Sequence, residues 1–368
     1  MSFVIRPVIN MIPTFEKFIT DYSIGEGDLI ITNEYVLASH IVNTKLTCDV
    51  LYQERYGSGE PTDVMIDAIL EEIHGKGYKR IIAIGGGTVL DISKLLLFEE
   101  GLSCEQICEQ LQILSKKKKL IAVPTTCGTG SEVTPIAVVH FMEKDTKIGM
   151  SAPSLAADEA VLIEDMFKTL PYGVFAASSI DALVHAVEAY VSPKADAFSK
   201  MFSQEAIKKI LNGYKKIAEQ GTGHVKEVVG DIGIASCFAG IAFGNAGVAN
   251  VHAISHTIGS ALHIPHGQAN YLVFAQVFRK YEELGVNLSE LNQFLSTVLH
   301  VSEEAAWEEL SDLLDKILPR KPLKEFGMSE QQIQEFATST VINQQRLLQN
   351  AQVLLRDDDI YDILAECY

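Results

Sequence analysis

Short apolar runs and amphipathic stretches alternate along the first part of the chain. DLIITNEYV reads as a strand, PTDVMIDAILEEIHGKG as a helix with apolar residues three and four apart, and KRIIAIGGG as a second strand. TVLDISKLLLFEE then reads as a helix and KLIAVPTT as a third strand. Strands this continuously apolar are buried on both faces, the condition of a parallel sheet covered by helices. From about Pro171 the strand pattern stops. GVFAASSIDALVHAVEAYV, SKMFSQEAIKKILNGYKKIAEQ and SEQQIQEFATSTVINQQRLLQ all carry helical periodicity. The pattern predicts an α/β nucleotide-binding domain over residues 1–170, built on a parallel sheet, and an all-helical domain over residues 171–368.

Length and charge narrow the choice of partner. A chain of 368 residues exceeds one typical core, which fits two domains, and its 47% hydrophobic content is that of an ordinary globular protein. A net charge of −18 repels phosphate backbones and anionic lipid surfaces, so neither nucleic acid nor a membrane is expected as a partner. The start, MSFVIRPVINMIPTFEKF, lacks the features of a signal peptide, and no run reads as a membrane span. The six cysteines (Cys48, Cys104, Cys108, Cys127, Cys237 and Cys367) form no C-x-x-C pair and read as free thiols of a cytoplasmic protein. The basic run Lys116 to Lys119 reads as a solvated loop without a function.

The candidate chemistry lies in the helical part. Asp181 and His185 are four apart on one predicted helix, so both project from one face. His252 opens another apolar stretch, and His266, between Pro265 and Gly267, is expected on a turn. Alone, the Asp181/His185 pair is an ordinary helix-surface pair. Four of the ten histidines (His252, His256, His263 and His266) nevertheless crowd into one short apolar stretch, which a solvated face does not need. One carboxylate with three imidazoles suits Fe²⁺ or Zn²⁺ better than Mg²⁺ or Ca²⁺.

Two glycine-containing turns in the first part suit a nucleotide. Gly85, Gly86 and Gly87 follow a strand and open a helix, whose free N–H groups and positive end favour a diphosphate. Leu90 stands where a dinucleotide fingerprint would place its third glycine, so the usual motif is absent. VPTTCGTGSEVT then sets Thr125, Thr126, Thr129, Ser131 and Thr134 around Gly128 and Gly130 after the next strand. Either turn can also be a strand-to-helix connection with no ligand.

GGGTVLDISK, PTTCGTGSEVT, DALVHAVEAYVS, GIAFGNAG and VHAISHTIG…PHG resemble, in this order, segments of the iron-dependent (group III) alcohol dehydrogenases, and the likeness spans nearly the whole chain. The resemblance implies a fold like that of dehydroquinate synthase, with NAD(H) in the first domain and Fe²⁺, or Zn²⁺, in the second. It also implies a small-molecule alcohol or aldehyde substrate and a homodimer. Carried over by position, Asp181, His185, His252 and His266 match the metal ligands, and His256 matches a further histidine assigned to proton transfer or nicotinamide contact. Gly86, Gly87 and Thr88 match the diphosphate turn, and Thr125, Thr126, Thr129, Thr134 and Lys147 match other cofactor contacts.

Two positions depart from many relatives. Asn33 and Glu34 stand where an aspartate takes the adenosine ribose, and Glu34 would repel a 2′-phosphate, which favours NAD over NADP. NQQRLL replaces an Asn-Pro-Arg element, so Arg346 occupies a changed site. Arg346 and Lys144 are the cationic candidates for a substrate carboxylate, and each also reads as an ordinary surface ion; Cys127 reads as structural. A polyol dehydrogenase, a metal- and NAD-using cyclising lyase, or a nucleotide-binding regulator without catalysis are the competing readings.

Overall fold

In a computed structural model that describes residues 2–41, 46–144 and 146–368, the strands take the hydrophobic runs in alternate phase. Leu29, Ile31, Ile81, Ala83, Leu120 and Ala122 point into one apolar cluster, while Ile30, Ile82, Ile84, Ile121 and Val123 point into the other. A sheet with two buried faces is the result, and each fully buried Ile contributes about 2 kcal/mol.

The strands are β1 (Val8–Ile12), β2 (Asp28–Thr32), β3 (Asp49–Tyr52), β4 (Arg80–Gly85), β5 (Lys119–Pro124), β6 (Ile136–Phe141), β7 (Thr146–Ser151) and β8 (Glu159–Ile163). Six of them form a wholly parallel sheet in the order β1-β8-β5-β4-β2-β3. The register of β4 on β5 runs from Arg80 opposite Lys119 to Gly85 opposite Pro124. That register brings the glycine turn and the hydroxyl-rich turn out side by side at the carboxyl ends of neighbouring strands.

Several expectations change. β6 and β7 form an antiparallel hairpin outside the parallel sheet, and β1, β3 and β8 add strands to the three read from the pattern. The run DLIITNEYV is strand only to Thr32, after which Glu34–Leu37 is helical. The lysine run is not simply solvated. Lys118 is buried and donates through Nζ to the carbonyls of Leu96 (3.2 Å) and Phe98 (3.3 Å), and burial lowers its pKa. Lys116 pairs with Asp158 at 3.1 Å.

The chain divides into two compact units, one of Val4–Leu170 and one of Pro171–Tyr368 joined by the first residues through Phe3. Phe3 stacks on Phe198 and Phe202. Every regular element described in Pro171–Tyr368 is helical. At its centre runs the helix Tyr172–Val191, packed against the helices Ala197–Gln220, Val225–Ala246 and His266–Glu283.

Two stretches here, Tyr172–Val191 and Thr222–Ala246, are long and apolar enough to cross a membrane, contrary to the expectation that none is. Their most apolar windows are 78% and 61% buried within the protein, so their apolar character is accounted for by packing.

Candidate metal centre and cofactor loops

Three helices assemble the polar cluster. Asp181 and His185 sit one turn apart on the helix Tyr172–Val191, His252 is in the first turn of the helix Asn250–Leu262, and His266 begins the helix His266–Glu283. His266 is therefore a helix-start residue rather than a turn residue. Pro265, with φ −53° and ψ 138°, occupies the N-cap before it, because the ring cannot supply an N–H to the helix and tolerates an extended ψ.

Gly267 lets the helices approach. A Cβ there would lie 2.0 Å from the carbonyl oxygen of Ala177 and 3.0 Å from Cβ of Asp181, so the His266 helix lies against the Tyr172 helix at backbone contact. One ligating atom from each of Asp181, His185, His252 and His266 falls within 4.8 Å of all the others. Asp181 Oδ1 is 3.7 Å from His252 Nε2 and 3.5 Å from His266 Nε2, and Asp181 Oδ2 is 3.9 Å from His185 Nδ1. Ligands about 2.1 Å from a tetrahedral cation stand about 3.4 Å from one another, so this donor set fits a divalent ion of the Fe²⁺ or Zn²⁺ type.

Electrostatics show a site that draws positive charge. Burial opposes ionisation of Asp181, but His185, His266 and His252 outweigh it and hold its carboxyl far below the usual range. Burial likewise opposes a charge on His252, yet Asp181 and Glu188 push its pKa up to about 9. Three of the four side chains are buried, whereas His266 is about a third exposed and gives the cluster an open side.

Around the four lie groups that spacing alone did not single out. His252 Nδ1 is 2.6 Å from Glu188 Oε2. Asn270, one turn after His266, donates to Asp181 Oδ1 at 2.7 Å. Phe243 stacks on the ring of His185 at 4.2 Å between centroids. Glu188 lies in the same DALVHAVEAY segment as the ligands, at helical spacing, and that periodicity was the available signal. His256 is half-buried, its ring 6.2 Å from that of His252 and 5.3 Å from that of His266. The bend before the Asn250 helix is held by Asn350, which donates to the carbonyls of Ala246 and Val248 at 3.0 and 3.1 Å.

In the sheet unit, Gly86 is the N-cap of the helix Gly87–Leu95 and follows β4 directly. A Cβ on Gly87 would stand 2.7 Å from Cγ2 of Thr129, so the two turns touch where only glycine fits. They are also joined underneath. Lys94 Nζ, wholly buried, donates to Ser131 Oγ (2.6 Å) and to the carbonyl of Ile136. Asp91 accepts from Ser131 Oγ (2.5 Å) and from the Val138 amide (2.9 Å). Beside them Glu132 is buried, and desolvation raises its pKa to about 7 against a smaller opposing pull from its own backbone N–H and Lys94.

Thr126 and Thr129 are partly exposed, while Thr125 and Thr134 are buried. Thr88 Oγ1 donates to the carbonyl of Gly59 at 2.9 Å. Lys147, on β7, pairs with Glu60 at 2.5 Å. Asn33 is buried, and its amide donates to Gln53 Oε1 (3.2 Å) and Glu54 Oε2 (2.9 Å). Glu34 is exposed, and its backbone N–H is taken by Glu54 Oε1 at 2.6 Å, which puts a second carboxylate at the end of β3.

Lys144 is neutralised by Glu105 at 2.6 Å on the surface of the sheet unit, and Arg346 is exposed on the short helix Gln345–Leu348. Cys127 is fully buried and its thiol is pushed far up by desolvation, which suits a structural role.

Comparison with known proteins agrees with these features. Residues 15–164 match the family described as iron-containing alcohol dehydrogenase, and residues 175–368 match the C-terminal part of the Fe-containing alcohol dehydrogenase family. The chain is 44% identical over 366 residues to a 4-hydroxybutyrate dehydrogenase of Clostridium kluyveri, covering 99% of each protein. It is 32% identical to long-chain-alcohol dehydrogenase 1 of Geobacillus thermodenitrificans, covering 90% of this chain and 87% of that one. Among solved structures, a sulfoacetaldehyde reductase from Bifidobacterium kashiwanohense in complex with NAD⁺ superposes with a TM-score of 0.86 at 21% identity, over 100% of this chain and 98% of that one. The chain belongs to the iron-containing alcohol dehydrogenase family.

Proposed function

We propose that this protein is a metal-dependent alcohol dehydrogenase that interconverts 4-hydroxybutyrate and succinate semialdehyde with NAD(H). The observation that carries the chemistry is the convergence of Asp181, His185, His252 and His266 within 4.8 Å in a largely buried site. The choice of substrate is supported by the 44% identity, over 99% of both chains, to a 4-hydroxybutyrate dehydrogenase. The chain also carries ITNEYV, ERYGSGEPTD, GIAFGNAGVA, RKPL and NQQRLL, segments that resemble that enzyme more closely than the family at large.

Asp181 and the three histidines hold Fe²⁺, with Zn²⁺ accommodated by the same donors. When bound, the cation supplies Lewis acidity toward the substrate oxygen. His266 leaves the approach to that oxygen open, and the buried Asp181 provides the negative charge that retains a dication. His256 takes the alcohol proton and passes it to solvent, because an imidazole can do so on either side of neutral pH.

The Gly86–Gly87 turn offers its amides and helix start to the diphosphate, and Thr88 is placed beside them. Thr125, Thr126, Thr129 and Thr134 line the companion turn, with Lys147 on the adjoining hairpin. Asn33, Glu34 and the neighbouring Glu54 receive the adenosine ribose and reject a 2′-phosphate, which sets NAD above NADP. The bound nicotinamide supplies the hydride acceptor.

A homodimer fits the outer edge of β1, a terminal strand of the sheet on which Val8 and Met11 are 63% and 67% exposed. Six free thiols fit a reducing compartment such as the cytoplasm.

The test is NADH absorbance with Fe²⁺-loaded protein, NAD⁺ and a panel of 4-hydroxybutyrate, 1-butanol and 1,3-propanediol. The expected result is the highest kcat/KM on 4-hydroxybutyrate. Equal turnover of the panel would remove the substrate assignment, and no NADH with any member would remove the dehydrogenase reading.

A further inference from the structure

One carboxylate in the helical unit is as deeply buried as the metal-site ligands and, among the described residues, belongs to neither the ligand set nor a salt bridge with Lys or Arg. Glu188 lies three residues after His185 on the same helix and is 1% exposed. Its Oε2 accepts from the Ala249 amide at 3.0 Å and faces His252 Nδ1 at 2.6 Å, while Oε1 accepts from the Val251 amide at 2.7 Å. Ala249 is the N-cap of the helix Asn250–Leu262, so two of these three partners are N–H groups with no acceptor inside that helix. The carboxylate therefore faces the positive end of that helix, and carboxylate oxygens accept there.

The other edge of the ring matters equally. His252 Nε2 is 3.7 Å from Asp181 Oδ1 and 3.2 Å from the Asn270 amide nitrogen, on the side where the four ligating atoms converge. On the metal-dependent reading given above, we propose that Glu188 is a positioning residue: it holds the proton of His252 on Nδ1 and thereby points the Nε2 lone pair at the cation. A carboxylate behind a ligating imidazole fixes both tautomer and ring orientation.

A merely structural cap would behave differently under an isosteric change. In Glu188→Gln the volume is retained, but one of the two oxygens becomes an NH₂. Turned toward His252, that NH₂ needs Nδ1 as an acceptor and drives the ring proton to Nε2, into the place of the cation. Turned toward Val251, it sets two donors against each other and leaves the imidazole with a weaker, neutral acceptor. Glu188→Asp keeps two acceptor oxygens on a shorter stem.

The experiment is a competition titration of Zn²⁺ against a chromophoric chelator with the full-length wild type, E188Q and E188D. The expected result is affinity about 10–100-fold weaker in E188Q, with E188D recovering part of the loss. Wild-type affinity in E188Q, or an equal loss in E188D, would overturn the proposal, since the charge and acceptor would then be immaterial. Should E188Q not fold, histidine-¹⁵N spectra of zinc-loaded wild type decide: a ring proton on Nδ1 of His252 supports the proposal and one on Nε2 overturns it. A wild type that binds no Zn²⁺ or Fe²⁺ would instead remove the metal reading, and this inference with it.

Discussion

Replacing Glu132 by Gln should remove a pH-dependent weakness from the sheet unit. Glu132 is 2% exposed in the hydroxyl-rich turn, and desolvation raises its pKa from the ordinary 4.5 to about 7, against the weaker pull of its own backbone N–H and of Lys94. A carboxyl that binds its proton more tightly when folded than when unfolded adds stability below its unfolded value and loses it as pH rises through its folded value. The window therefore runs from about pH 4.5 to about pH 7. At about 1.4 kcal/mol per unit, ionisation withdraws about 3 kcal/mol from the wild type by pH 8. The assay is urea unfolding from pH 4.5 to 8, followed for both proteins. Every other titrating group is shared, so the difference between the two curves reports Glu132 together with its coupling to Lys94. The gap should move in favour of E132Q by about 3 kcal/mol across the window. Curves that stay parallel to within about 0.5 kcal/mol would show that Glu132 ionises alike in the folded and unfolded chain, and the burial argument would be refuted.

Gly267→Ala should press a methyl onto the Ala177 carbonyl, 2.0 Å from an ideal Cβ, and part the two helices that carry Asp181 and His266. A loss of about 3 kcal/mol in thermal or urea unfolding, with less bound zinc per chain by elemental analysis, is expected; wild-type stability and metal content would contradict the backbone contact. His256→Phe should keep its metal while kcat falls on the order of 100-fold, read together from metal content and NADH formation. Full turnover in that variant would remove the proton relay.

Much of the site was legible because helical periodicity is a local property. Asp181 and His185 share a face by spacing alone, and the histidines of VHAISHTIGSALHIPHG stand out against an apolar background. The doubly buried strands were legible for the same reason, since Ile81 to Ile84 have no polar member to mark a solvent face. What sequence did not disclose depends on partners distant in the chain. Asn270 takes its meaning from Asp181, 89 residues earlier, and Lys94 from Ser131, 37 residues later. His266 was misplaced by one element because Pro265 signals a break whether a turn or a helix follows, and only the packing of Gly267 on Ala177 selects the helix.

The Tyr172–Val191 helix concentrates this lesson. Its composition satisfies a membrane-span test, yet Asp181, His185 and Glu188 are buried within it. An apolar helix gains nothing in stability from three buried ionisable groups, each of which costs several kcal/mol unless paired. Here each is paired: Asp181 with His185, His252, His266 and Asn270, and Glu188 with His252 and the start of a neighbouring helix. The ionisable residues that break the apolar pattern of this helix thus find their partners in the four-residue cluster or at the start of the helix Asn250–Leu262. On the metal-dependent reading proposed above, the break in patterning and the convergence in space have one physical cause, the demand of a buried cation for negative charge and oriented lone pairs.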